Sequence, residues 1–257
     1  MDYKLLMKTA ILAGEIMLKS GAETYRVEDT INRILQTSHA QTVETVVLMT
    51  GIFTTLDNPD IETITAIKRV QKRVNNLNRI ACANDISRKY CAGEISLEEA
   101  YEGLQQIKGR QYKRMAYNVA TVFLCAGFAP LFGGKLPEVC GAAIVGAVLA
   151  VLVTLGKKLR INGFIQDVIS SMGLALTAIL LKEHFTAIDM DIVIISGIMP
   201  LVPGVAITNA IRDALQGDYL SGAARTLEAF LSATAVAMGV AAAMAFTGIL
   251  SPGGGLL

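Results

Sequence analysis

The sequence predicts an integral membrane α-helical bundle of about five transmembrane helices, preceded by a small N-terminal cytoplasmic α+β domain. Three observations predict it. Charged residues make up 18% of the 257-residue chain against 53% hydrophobic ones, whereas an ordinary soluble domain carries about 25% charged residues. The charge is uneven: 30 of the 45 charged residues lie in positions 1–114, leaving 15 for the remaining 143. The second half also holds five apolar runs near the length of about 17–25 residues that a spanning helix needs. The composition step divides the chain into a water-solvated domain, 1–114, and a transmembrane domain, 115–257.

In the first domain, Leu5, Leu6, Leu12, Ala13 and Ile16 recur at helical spacing, so residues 3–20 form an amphipathic helix that Gly21 ends. A second helix over 23–36 carries Val27, Ile31 and Ile34 on one face. The β-branched stretch 43–70, interrupted by the turn cluster Asp57-Asn58-Pro59-Asp60, reads as a hairpin or two to three strands. Residues 74–91 return to helix, with Val74, Leu77, Ile80 and Ala81 expected inward, and Gly93 ends it. Ser96-Leu97-Glu98-Glu99 is a capping box that opens a helix to about Lys108.

The spans are expected at about 115–132, 139–156, 165–181, 192–211 and 227–250. Lys108, Arg110, Lys113, Arg114, Lys157, Lys158, Arg160, Arg212 and Arg225 fall in loops of one side, against Lys135 and Lys182 on the other. This bias sets the N-terminus in the cytoplasm and the C-terminus outside, as in a multi-pass plasma-membrane protein. The N-terminal segment carries acids and lacks a continuous apolar core, so it is not expected to be a signal peptide. Gly141, Gly146 and Gly156 pave the second span with small residues that permit close helix approach.

Net charge of +1 with no basic–aromatic interleaving implies no nucleic-acid partner; the lipid bilayer is the expected surroundings. Cys82, Cys91, Cys125 and Cys140 lack paired spacing, and His39 and His184 stand far apart, so no metal site is expected. No phosphate-binding or dinucleotide fingerprint and no nucleophile–base pair is present, so neither cofactor nor catalysis is expected.

The informative span is the fourth. Pro200, Pro203 and Gly204 at its middle should break the helix. Broken helices at membrane depth build substrate sites in secondary transporters, although a kink without a ligand is also open. Thr208, Asn209, Arg212 and Asp213 follow at helical spacing, and Asn209 is the candidate hydrogen-bonding residue for a solute. Arg212 and Asp213 also fit a simple cytoplasmic helix end. Asp167 and Ser171 share a face of the third span, and Glu228 opens the fifth near Arg225; these are candidates for ion or proton coupling or plain interfacial charges. Glu23, Arg26, Glu28 and Asp29 cluster at a helix start, where acids complement the helix dipole.

Three segments carry a resemblance: Ser20-Gly21-Ala22-Glu23-Thr24-Tyr25-Arg26-Val27-Glu28; Met199 to Ala206 with Thr208 to Asp213; and Gly217-Asp218 with Ser221 to Arg225. Together they resemble the bacterial threonine/serine exporter family, in particular its larger split-type, YjjP-like subunit. The resemblance covers nearly the whole chain. It implies export of small hydrophilic metabolites, threonine/serine-type amino acids or succinate-like dicarboxylates, driven by an ion gradient. It also implies a small all-membrane, YjjB-like partner subunit, and marks Glu23 and Arg26 as part of a cytoplasmic motif. A chain of five spans is small for a complete solute pathway, so a homo-oligomer is a further expectation. The alternative reading is a membrane-anchored regulatory or enzymatic protein whose soluble domain carries the activity.

Overall fold

The computed structural model of the chain describes residues 2–59, 61–71, 73–107 and 113–250. The expectations placed on Asp60, Lys108 and Arg110, and on the C-terminal end, lie outside the described residues. The chain divides into two compact units, Met1–Gln111 with Val205–Leu227, and Tyr112–Gly204 with Glu228–Leu257.

The first unit opens with α1 (Tyr3–Lys19) and α2 (Thr24–Gln36). Asp2 caps α1 by accepting the N–H groups of Lys4 and Leu5. Three antiparallel strands follow in the order β1 (Thr42–Leu48), β2 (Gly51–Asn58), β3 (Ile61–Arg69). The β1–β2 hairpin closes with Leu48 opposite Gly51, and a register shift between Leu56 and Asn58 bends the β2–β3 pair. The core lies between helices and sheet: Leu6, Met17, Leu18, Ile31, Leu35, Ile52 and Leu56 are fully buried. The Glu28 carboxylate, reaching from α2, accepts the Val47 N–H of β1 at 2.7 Å.

Helix α3 (Leu77–Cys91) and α4 (Leu97–Gln105) complete this part. The Ser96–Glu99 capping box forms in both directions. The inward face of α3 differs from the one periodicity predicts. Val74, Leu77 and Ala81 are exposed, and Ile80, Ala83, Ser87 and Tyr90 are buried. The helix begins only after its cap Asn76, so Val74 precedes it and has no helical face. Tyr90 then aligns the buried stripe by reaching the Thr37 hydroxyl at 3.0 Å. The later segment of this unit contributes α9 (Gly204–Leu215) and the start of α10 (Tyr219–Leu250).

The second unit is helical: α5 (Arg114–Leu131), α6 (Leu136–Leu159), α7 (Gly163–His184), α8 (Met190–Ile198) with a 3-10 turn over Met199–Leu201, and the remainder of α10. Among the described residues, α6, α7 and α10 are long and apolar enough to cross a membrane, and α8 with α9 supplies a fourth if the broken pair is one span. Helix α5, 18 residues long with Arg114, Asn118 and Pro130 in it, is not in that set. Large apolar side chains point outward along these helices, among them Phe123, Val151, Ile165, Leu180 and Phe230. Such a surface suits a lipid solvent and not water.

The three small-residue positions of α6 each face a different neighbour. A Cβ at Gly141 would meet Val193 of α8 at 3.0 Å, one at Gly146 would meet Cys125 of α5 at 3.0 Å, and one at Gly156 would strike Gln166 of α7. Near Gly146 the α5 backbone itself is close, with Val122 Cα at 3.1 Å. Replacing Gly146 by leucine should therefore force α5 and α6 apart. The expected outcome is a Tm several degrees lower for Gly146→Leu in detergent, with Gly127→Ala, where a Cβ meets nothing within 4 Å, unchanged or slightly higher.

Candidate functional site

The segment Ser20-Gly21-Ala22-Glu23-Thr24 joins α1 to α2 and is held on every side. Ser20 closes α1, its hydroxyl donating to the Ile16 carbonyl at 2.6 Å. Gly21 takes φ +86°, and a Cβ there would run into the Asn75 side-chain oxygen. Glycine is required at this position by both backbone and space. The neighbouring strand of chain follows the turn, with Val74 N–H on the Lys19 carbonyl and Asn76 N–H on the Ser20 carbonyl.

Residues of α9 and α10 take the remaining polar groups of the turn. Asn209 Nδ2 donates to the Gly21 carbonyl at 2.8 Å. Arg225 donates to the Ala22 carbonyl at 2.7 Å. Arg212 donates to Glu23 Oε1 at 2.6 Å, while Arg26 approaches Glu23 Oε2 at 3.4 Å. Thr24 N–H and Oγ1 both donate to Asp213 Oδ1, at 3.2 and 3.0 Å, and Thr24 Oγ1 also lies 2.9 Å from Asp218 Oδ2. The partners from positions 209–225 stand 188 to 203 positions away in the chain.

Two consequences follow from elementary chemistry. The first N–H groups of a helix have no partner within it. At α2 the cap residue Glu23 makes no side-chain cap bond, and Asp213 fills that role from another helix, its negative charge favoured by the α2 dipole. Asp213 itself is fully buried and lies 2.7 Å from Arg225 Nε, also buried. Asp213 Oδ2 and Arg225 Nε lack hydrogen-bond geometry, so this contact is ionic. Ser221 Oγ, one turn before Arg225 and likewise buried, has no hydrogen-bond partner among the described residues.

Burial works against the Glu23 carboxyl, but its own backbone N–H with Arg212 and Arg26 holds it below the usual carboxylate range. Glu28 goes the other way. Burial pushes its carboxyl up against the Val47 N–H, and the charges of Asp218 and Asp213 push in the same direction. The site is a mixed-charge cluster of Glu23, Glu28, Asp213 and Asp218 with Arg26, Arg212 and Arg225.

The candidates read from sequence divide by location. Asn209, Arg212 and Asp213 come together with Glu23 and Arg26 in this cluster, and Asn209 spends an amide proton on a main-chain carbonyl. Thr208 is exposed and joins none of these contacts among the described residues. Pro200, Pro203 and Gly204 mark the break: α8 passes into the 3-10 turn, Val202 is extended, and its carbonyl accepts the Gly204 N–H at 2.9 Å. In the second unit Asp167 accepts a hydrogen bond from Ser232, while Ser171 donates to the main-chain carbonyls of Asp167 and Val168. Glu228 lies exposed on α10.

Sequence reasoning named Glu28 only as part of a charge cluster at a helix start, and did not single out Thr24, Asp218, Ser221 or the clamp by Arg225. The available signal was the density of polar residues at 208–225 inside an apolar half, matched by that at 20–28. Nothing in spacing pairs two such segments.

Outward apolar faces on long helices, with buried ion pairs gathered, among the described residues, in a small cluster, define a multi-helix membrane protein carrying a polar site. Residues 8–247 match the family model of threonine/serine exporters, and the chain belongs to that family. It is 24% identical over 238 residues to a protein of Mycobacterium tuberculosis (strain ATCC 25618 / H37Rv) described as a probable threonine/serine exporter, a match that covers 91% of this chain and 45% of that protein. The chain thus spans about half the length of this curated relative. No solved structure matches it.

Removing one partner of a buried ion pair leaves the other uncompensated, at a cost of about 3–5 kcal/mol. Arg225→Met should lower the Tm of the purified chain accordingly, and by more than Arg212→Met, whose side chain is half exposed. Glu28 gives a pH signature. Because its folded-state pKa lies above the unfolded one, its stabilising contribution is present below the ordinary carboxylate value and lost as pH rises through the raised one. Glu28→Gln should therefore raise Tm over wild type at pH 8, and the gap should close below about pH 4.

Proposed function

We propose that this chain is a subunit of a secondary-active exporter of threonine/serine-type amino acids, driven by an ion gradient. The observation that carries the reading is the family match over residues 8–247, which takes in both the broken helix and the cluster at 20–28 and 209–225. In this reading α5 acts as a fifth span, the N-terminal residues face the cytoplasm of a bacterial inner membrane, and the C-terminus lies outside. A small all-membrane, YjjB-like partner supplies the remaining spans, in keeping with a relative of about twice the length. Asp167, Ser171 and Glu228 are the groups for ion or proton coupling, since ionisable side chains within spans belong to such pathways.

Charge favours an amino acid over a dicarboxylate. The cluster holds four carboxylates against three guanidinium groups, and all three guanidinium groups already face Glu23 or Asp213. A doubly negative solute would meet repulsion there, whereas a zwitterion finds a partner for each end. The reading as a membrane-anchored regulator or enzyme has no observation in its favour.

Counterflow in proteoliposomes tests the proposal, using the full chain with and without the small partner. Saturable uptake of labelled threonine and serine, well above that of succinate, is the expected result. Uptake of succinate alone, or flux that rises without saturation, would replace this reading with a dicarboxylate carrier or a channel.

A further inference from the structure

The cluster already holds a threonine: its own. Thr24 presents a main-chain N–H and a β-hydroxyl to Asp213, and the same hydroxyl to Asp218. One position earlier, a carboxylate, that of Glu23, lies on Arg212. Free threonine and serine carry these groups in one molecule: an ammonium, a β-hydroxyl and a carboxylate. We propose that Asp213, Asp218 and Arg212 are the recognition site for a β-hydroxy amino acid, and that Thr24 with Glu23 occupies it as an internal surrogate the solute displaces.

The assignment rests on the proposed function and deepens it. Four features support it. A hydroxyl has a single proton and cannot donate fully to two carboxylates at once, so Thr24 satisfies Asp213 and Asp218 incompletely. A solute ammonium brings three donors and a charge, making shorter and stronger bonds to carboxylate than an amide N–H does. Asp213 Oδ2 is taken up by its ionic contact with Arg225, but Ser221 Oγ is a buried polar atom with no hydrogen-bond partner among the described residues and so remains open to such a donor. Arg212 is the accessible member, its side chain 56% exposed against 7% for Glu23. A solute carboxylate can therefore reach the guanidinium from solvent before Glu23 leaves it.

The site also explains how a hydroxyl would be read. An analogue without it, 2-aminobutyrate, would leave the partly buried Asp218 facing an apolar methylene, and an acceptor that loses its donor there disfavours the analogue. Asp218 is thus the specificity residue and Thr24 the competitor.

Binding of labelled threonine to the full chain in detergent, followed by scintillation proximity, decides the matter. Thr24→Val keeps the shape and the N–H but removes the competing hydroxyl; it should bind threonine about tenfold more tightly than wild type. Thr24→Ser keeps the hydroxyl and should match wild type. Asp218→Asn should lose most of the preference for threonine over 2-aminobutyrate. If Thr24→Val binds threonine no better than wild type, the surrogate is refuted. Should that variant fail to fold by its Tm, Asp218→Asn decides alone, and an unchanged preference refutes the site. Wild-type protein that neither binds nor counterflows threonine or serine would instead overturn the functional reading, and the site with it. Wild type that transports while Thr24→Val gains nothing overturns only the surrogate.

Discussion

The pair formed by Asp213 and Arg225 is the contact on which the rest of the site depends, because neither charge reaches water. Taking an acid and a guanidinium out of water costs several kcal/mol per ion, and attraction between them offsets this only when their other polar atoms find partners. Here those partners are main-chain groups of one short turn. Asp213 takes the Thr24 N–H and Arg225 gives to the Ala22 carbonyl. The turn and the ion pair therefore require each other. Gly21 is the residue that lets the backbone present both groups, since its positive φ directs the Gly21 and Ala22 carbonyls toward Asn209 and Arg225.

The same arrangement gives α2 an N-terminal cap drawn from a distant part of the chain. Helix caps are ordinarily local, a serine or aspartate just before the first turn, as Asp2, Asn76 and Ser96 are for α1, α3 and α4. Glu23 at the start of α2 turns outward to Arg212, leaving its helix to be capped by Asp213. A helix that depends on a remote acid for its cap is one whose start responds to that acid's other partners. This links the site's chemistry to the stability of α2, and through Glu28 and Val47 to the first strand.

The second unit is held differently. Among the described residues its contacts between helices include close approaches at glycine and single hydrogen bonds, such as Thr154 with Asn118 and Gln166 with the Leu152 carbonyl. In lipid there is little apolar transfer energy to gain from helix association, so close packing and scattered hydrogen bonds take over. The glycines of α6 show this directly, each opening a face to a separate neighbouring helix.

The sequence by itself determined the elements. Periods of 2 and 3.6, caps, turn residues and apolar length are properties of neighbours a few positions apart, so α1, α2, the presence of a hairpin or two to three strands over 43–70, the Ser96 capping box and the break near Pro203 were legible. So was the family, because its three polar segments survive as continuous strings. Only the tertiary structure decided that Gly21–Thr24 meets Asn209, Arg212, Asp213 and Arg225, and that α3 turns Ile80 and not Val74 inward. Contacts closed across nearly two hundred residues leave no periodic trace in a single sequence. A helix's buried face near its cap depends on where its first turn starts, which the structure fixes through Asn76.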